Sequence, residues 1–289
     1  MKIDLHIHSK NSDGIFSVEE ILREAKKRSL DFLSITDHDC IGCQTQATEV
    51  AKKEGIRYVT GVELNVTFSH PKYHDGKGVS LDFLGYQFNL NNKALESKLE
   101  KMTKYREERA AKILDNLNTE FEKENIVALS KDDLRQIEES VDGVLGRPHI
   151  ADYLVKKGIV KTRQEAFDKY LVKCDVPKFP LCIEEASKLI RGAGGRLVLA
   201  HPNDPHGISL MSLTKSLDEQ TEIVKEKMLP RIDGIECWHS RSTLETTNHY
   251  IVFAKKNKLI MTGGSDCHQK PILMGSVAIP KGVVNQFVK

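Results

Sequence analysis

Lys2-Ile3-Asp4-Leu5-His6-Ile7-His8 is the stretch that organises the chain. Side chains on a strand alternate between its two faces. Asp4, His6 and His8 therefore share one face, and Ile3, Leu5 and Ile7 the other. The apolar face suits a core. The polar face carries two imidazoles able to share one metal cluster. An affinity tag would be a run of consecutive histidines, not histidines alternating with Ile and Leu.

Working outward, a polar loop over 9–14 follows. Ser17 with Glu20 three residues on then marks the start of a helix, a capping box. Asp31–Thr36 reads as a second strand, about 42–54 as a second helix, and Arg57–Glu63 as a third strand. This is the rhythm of parallel βα units. Val66 to Phe88 reads as a hairpin. From about Lys93 to Ala128 the sequence predicts one long charged helix, followed by shorter helices near 148–157 and 163–172. The βα rhythm resumes at Ile183, with strands at Arg196–His201, Gly234–Trp238 and Leu259–Thr262. The expected organisation is a barrel in two parts, 1–92 and 181–289, interrupted by a helical cap over 93–180.

Among 289 residues, 39% are hydrophobic and 6% aromatic, as in a globular protein with an aliphatic core. A net charge of +2 gives no reason to expect a nucleic-acid or membrane surface. No uncharged apolar run is long enough to span a bilayer, and the first residues do not read as a signal peptide. A cytoplasmic location is expected. Cys40, Cys43, Cys174, Cys182, Cys237 and Cys267 read as reduced thiols, most of them packing residues. Cys40-Ile-Gly-Cys43 lacks the second pair that a structural zinc site needs.

Most predicted strands end in a metal-ligand residue: His6 and His8, His38, Glu63, His201, then Asp266 and His268. In parallel α/β barrels the carboxyl ends of the strands converge on one face, so these residues would meet. Asp13 adds a carboxylate from the first loop. Imidazole and carboxylate without thiolate suit zinc, manganese or iron. The candidates outnumber what one ion binds, so two or three divalent ions are expected. Such clusters hold a bridging hydroxide as nucleophile and clamp the oxygens of a phosphoryl group.

His6-Ile-His8, Asp13, Thr36-Asp37-His38, Gly61-Val-Glu63, Ala200-His201-Pro202 and Gly264-Ser265-Asp266-Cys267-His268 together resemble the motifs of the PHP (polymerase and histidinol phosphatase) phosphoesterases. The resemblance implies a distorted (β/α)7 TIM-like barrel with a trinuclear metal centre. Gly146-Arg147-Pro148-His149-Ile150-Ala151 is similar to the cap of the branch that hydrolyses nucleoside 3′,5′-bisphosphates and trims short RNA from the 5′ end. It implies that Arg147 and His149 reach over the cluster as catalytic and substrate-binding residues, and that His239 contacts phosphate. Two positions depart from the family pattern. Asp82 stands where relatives usually have a ligand His, and Ser242 where close relatives often have a second His. Asp82 is kept as a metal ligand; His70 and His74 are the alternative substitutes.

The expected function is a phosphohydrolase removing phosphate from a small nucleotide, most directly a nucleoside 3′,5′-bisphosphate. The alternatives are a 5′→3′ exoribonuclease on short RNA, a phosphatase for another small molecule such as histidinol phosphate, and a catalytically silent metal-binding module. No obligate protein partner is evident.

Overall fold

The computed structural model describes residues 1–206 and 208–287. Its elements are mixed α/β. The first sheet is parallel and ordered β1 (Lys2–Asp4), β2 (Leu30–Leu33), β3 (Arg57–Tyr58). The second is ordered β4 (Gly61–Phe68), β5 (Val79–Tyr86), β6 (Arg196–Leu199), β7 (Gly234–His239), β8 (Ile260–Gly264). In it β5 runs antiparallel to both neighbours, while β6, β7 and β8 are parallel.

Of the expected distorted (β/α)7 barrel the structure shows a mixed α/β frame of two sheets that do not close. The predicted strand over 57–63 breaks at Val59 and Thr60, so its halves belong to different sheets. The sheets meet through isolated pairs instead. Leu5 N–H donates to the Gly263 carbonyl (3.0 Å), and Glu63 N–H to the Asp37 carbonyl (3.1 Å).

Helices cover the sheets where sequence gives an apolar stripe and a cap. In α1 (Val18–Lys27), Ser17 accepts from Glu20 N–H while Glu20 accepts from Ser17 N–H, and Val18, Ile21, Leu22 and Ala25 are buried. Helices α2 (Gln44–Glu54), α7 (Ile183–Gly192), α8 (Leu217–Ile223) and α9 (Leu244–Lys256) complete the sheet-covering set.

Between β5 and α7 the chain is helical: α3 (Lys93–Lys123), α4 (Lys131–Glu139), α5 (Arg147–Lys156) and α6 (Arg163–Ala166), the last continuing in a wide turn to Leu171. Here α3 stops five residues before the expected Ala128, and α4 was not foreseen. The long helix serves two cores. Leu95, Leu99 and Met102 pack on the sheets; Ile113, Leu117 and Phe121 pack among the helices, with Phe121 edge-on to Tyr170 at 5.1 Å. Arg106 and Arg109 fall between the two stretches, where α3 passes over the strand ends. Cys43, Cys174, Cys237 and Cys267 are buried, and all six cysteines are unbridged. No helix among the described residues is long and apolar enough to cross a membrane.

Candidate metal centre and active site

The strand ends bring all nine expected ligands together. Four overlapping groups form: His8, Asp13, His38 and His268; His6, His8 and Asp266; His6, Glu63 and His201; and His38, Glu63 and Asp82. Within each group the candidate ligand atoms lie within 4.8 Å of one another. Close backbone approach makes this possible. A Cβ on Gly264 would lie 2.5 Å from the His6 nitrogen, so only glycine lets β8 pass this close to His6. His201 (φ 22°) and Asp266 (φ 54°) both adopt the left-handed region that side chains disfavour. Asp266 is held there by its N–H on the His6 carbonyl (2.8 Å), and His201 by its N–H on Glu236 Oε2 (2.8 Å).

Buried carboxylates fix the loops carrying the ligands. Asp4 shares the face expected for His6 and His8 but is used structurally: it accepts from the N–H groups of Ser265 (2.9 Å) and Gly275 (2.8 Å). Asp37 accepts from Ser9 N–H (2.7 Å), Ser9 Oγ (2.6 Å), Ser12 Oγ (2.7 Å) and the Cys43 thiol (3.1 Å). That sets the loop between His8 and Asp13.

The donor geometry fits a metal cluster. His6 Nε2 and His8 Nε2 face each other at 3.2 Å. Glu63 Oε2 lies 3.3 and 3.1 Å from them, and Asp266 Oδ1 3.4 and 3.3 Å. Metal–ligand bonds of about 2.0–2.1 Å put neighbouring corners of a tetrahedron about 3.3 Å apart. His38 Nδ1 sits 3.2 Å from Glu63 Oε2 without hydrogen-bonding geometry, and it is one of several buried polar atoms here lacking a partner, with Asp13 Oδ1 and His239 Nε2. Such orphans are costly unless another group engages them.

The electrostatics of the metal-free cluster are those of interleaved acids and imidazoles. Burial would lower the His8 imidazole, but hydrogen bonds to Asp266 and Glu63 outweigh it and lift it to about 10. His201, opposed by burial and raised by Glu63, reaches about 9. Glu63 is held well below the usual carboxylate range: burial opposes this, and the charges of His38 and His6 prevail. Asp82 shifts the other way, raised by burial and then by the Glu63 charge.

Asp82 accepts from Asn65 Nδ2 at 2.5 Å on the neighbouring strand. Asp82→Ala is expected to lower metal occupancy, whereas Asp82→His retains activity with altered ion preference. Metal analysis of both variants checks this, and normal occupancy and turnover in Asp82→Ala would remove Asp82 from the ligand set. His70 and His74 are not in the cluster. His74 bonds the Ser212 carbonyl, and His70 Nε2 lies 3.5 Å from Glu226.

A cavity of about 210 Å³ opens over the cluster. Asp13, His38, Glu63, Asp82, His201, Asp266 and His268 line it on one side, and Arg106, Arg109, Arg147, Lys178 and Arg241 are its basic lining. Arg106 pairs with Asp39, Arg109 and Arg147 share Asp175, and Arg241 spans Asp204 and Asp266. Lys178 has no ion pair among the described residues; burial pushes its ammonium down despite nearby Asp82. Arg147 lines this cavity, but His149, two residues on, does not. His149 Nδ1 accepts from Gly146 N–H (2.9 Å), and its ring lines an adjacent cavity of about 340 Å³ that also reaches Asp13. His239 is buried below, 3.5 Å from Asp266, grouped with Asp204 as a potential ligand. Sequence reasoning missed Lys178, Asp204, Glu236 and Arg241.

A mixed α/β frame whose strand ends gather histidines and carboxylates beneath a basic cavity defines a metal-dependent phosphoesterase. The model of the PHP domain matches residues 4–172. The chain belongs to the PHP domain family. It is 28% identical over 273 residues to a 3′,5′-nucleoside bisphosphate phosphatase of Chromobacterium violaceum, covering 92% of this chain and 87% of that one. It is 33% identical over 208 residues to a 5′-3′ exoribonuclease of Haemophilus influenzae, covering 70% and 69%. A crystal structure from Bifidobacterium adolescentis, described as a metal-dependent phosphoesterase, superposes with a TM-score of 0.81 at 28% identity, over 98% of this chain and 94% of that one.

Proposed function

We propose that the chain removes a phosphate from small nucleotides, most directly nucleoside 3′,5′-bisphosphates, at a cluster of two or three divalent ions. The observation that carries this reading is the single cavity with ligand residues on one side and cationic side chains on the other. Manganese, iron and zinc all suit the donor set. His6, His8, Asp13, His38, Glu63, Asp82, His201, Asp266 and His268 would hold the ions. When bound, the ions supply charge stabilisation and lower the pKa of water. In this reading residues 93–180 act as the cap over a PHP frame formed by 1–92 and 181–289.

The chain's own residues sort the substrate. Arg147 offers a planar fork to the phosphate that is not cleaved. Lys178, lacking an ion pair among the described residues, gains a counter-charge when a phosphate enters. Asp175 holds Arg109 and Arg147 from behind, so their positions are set before substrate arrives. His149 caps Gly146 through Nδ1 and so holds the turn from which Arg147 projects. A longer RNA needs a basic track. Beyond the cavity the cations are matched by carboxylates. Lys10, Lys156 and Arg163 lie with Asp13, Asp142 and Asp152 in the adjacent cavity. A separate groove carries Asp39, Glu96, Glu100 and Glu107 against Lys104. This balance favours a small nucleotide.

Arg147→Ala is expected to raise KM for a bisphosphate about ten- to a hundredfold, the worth of a charge-assisted hydrogen bond. Its kcat should be little changed, and the KM of a monophosphate should move far less. Kinetics on protein loaded in turn with manganese, iron or zinc, with mononucleotides, bisphosphates, histidinol phosphate and short RNA, test the whole reading. Equal KM increases for both substrate types would mean that Arg147 does not read a second phosphate.

A further inference from the structure

We propose that Glu236 is a positioning residue: it fixes the ring of His6 with Nδ1 protonated, so that Nε2 faces the cluster, and at the same time pins the backbone of His201. Glu236 sits in the middle of β7, 1% exposed, and its strand neighbours Ile235 and Cys237 point into the apolar core. A carboxylate in such a place is costly unless paired and hydrogen-bonded. It has no Lys or Arg partner among the described residues. Its Oε1 lies 3.1 Å from His6 Nδ1, and its Oε2 accepts His201 N–H at 2.8 Å.

The two contacts have one result. Which nitrogen of an imidazole is free for a ligand is decided by the hydrogen bond that the other nitrogen makes. Glu236, a carboxylate, can only accept, so Nδ1 must donate. Nε2 is then the atom left toward His8 Nε2, Glu63 Oε2 and Asp266 Oδ1, all within 3.4 Å. The second contact holds His201 at its disfavoured φ of 22°, with its ring stacked 5.6 Å from that of His6. One side chain on β7 thereby sets two ligands that arrive from β1 and β6. A residue serving only to tie strands together would need the backbone contact and not the ring contact.

The inference rests on the cluster being a metal site, and the test separates the two. In ¹⁵N-labelled wild-type protein, a slowly exchanging Nδ1–H of His6, assigned by its absence in His6→Gln, is expected both without metal and with zinc. If Nδ1 carries no proton, the inference is overturned, and this needs no variant to fold. A wild-type chain that takes up no zinc would defeat the reading of the cluster, while the Nδ1–H signal still decides the pairing. Glu236→Gln removes the charge. With its oxygen kept on His201 N–H, it puts an amide nitrogen, which cannot accept, at the position 3.1 Å from His6 Nδ1. Only the longer 3.4 Å contact to His6 Nδ1 remains. Zinc affinity, measured by chelator competition, should fall about ten- to a hundredfold, with faster exchange of the His6 Nδ1–H. Zinc affinity equal to wild type in a variant that has lost the Nδ1–H signal overturns the proposal.

Discussion

Glu63→Ala should release at least one ion per chain and lower phosphatase activity by about 10³-fold or more, because several kcal/mol of charge stabilisation are lost with each misplaced ion. The Glu63 carboxylate lies among four imidazoles, as does that of Asp266, which also pairs with Arg241. Glu63 Oε2 lies 3.3, 3.1 and 3.2 Å from His6, His8 and His38, and its Oε1 lies 3.0 Å from His201. Two of the five groups of candidate ligands include Glu63. Removing it leaves four imidazoles facing one another without the anion they share. Glu63→Gln is the informative companion. It keeps the volume and one acceptor but removes the charge, so its fold is retained while its ion content and rate fall with those of the alanine variant. Full ion content and a normal rate in Glu63→Gln, by elemental analysis and a phosphate-release assay, would show that Glu63 does not serve as a ligand.

Of the nine candidate ligands that the fold gathers, seven are legible in the sequence because they end or follow a predicted strand and Asp13 because it lies on the first loop, whereas Asp82, inside β5, comes only from the family pattern. Chain order alone then predicts that they converge. What surrounds them was not readable in the same way. Glu236 interrupts the apolar run Gly234-Ile-Glu-Cys-Trp238, which was a signal, but its partner His6 lies 230 residues away and on another sheet. Lys178 is one of 43 lysines and arginines, in an irregular stretch with no periodicity to single it out. Arg241 and Asp204 lie on loops, and only the fold reveals that they pair. The missed helix α4 did announce itself: Ser130 and Asp133 form a capping box, while the sparse apolar stripe of Leu134 and Ile137 concealed the helix behind it. The broken third strand has a different cause. Arg57 to Glu63 has continuous strand character, and the break at Val59 and Thr60 is imposed by pairing, with Tyr58 aligned to Leu33 and Gly61 to Tyr86. Register between distant strands is a tertiary property. The sheets' failure to close belongs to the same class of information, whereas the site needs only the strand ends.

Metal affinity should climb steeply with pH, by up to about a hundredfold per unit between pH 7 and 9, if two protons must leave before the ions bind. His8, raised to about 10, and His201, raised to about 9, are both protonated at pH 7 in the metal-free chain. A ligand nitrogen must give up its proton. The stability of the metal-free fold has the opposite slope. A histidine whose folded pKa exceeds its unfolded value of about 6.5 stabilises the fold fully below that value, and the contribution is lost as pH rises through the folded pKa. For His8 and His201 that loss begins near pH 6.5 and is complete by about pH 9 to 10. Glu63, Asp13 and Asp266, held well below the usual carboxylate range, add stability that is present above the unfolded carboxylate values and fades as the solution is acidified further. Burial opposes all three of these shifts, and neighbouring histidines outweigh it. Chelator-treated protein should therefore resist urea best in mildly acidic to neutral solution and weaken toward pH 10, while metal binding strengthens over the same range. Calorimetric titration at pH 7 in buffers of different ionisation enthalpy counts the protons directly. Release of at least two per chain on loading is the expected result, because His6, opposed by burial, is raised as well by Glu63 and Glu236. No release would mean that the histidines of the metal-free cluster are already neutral.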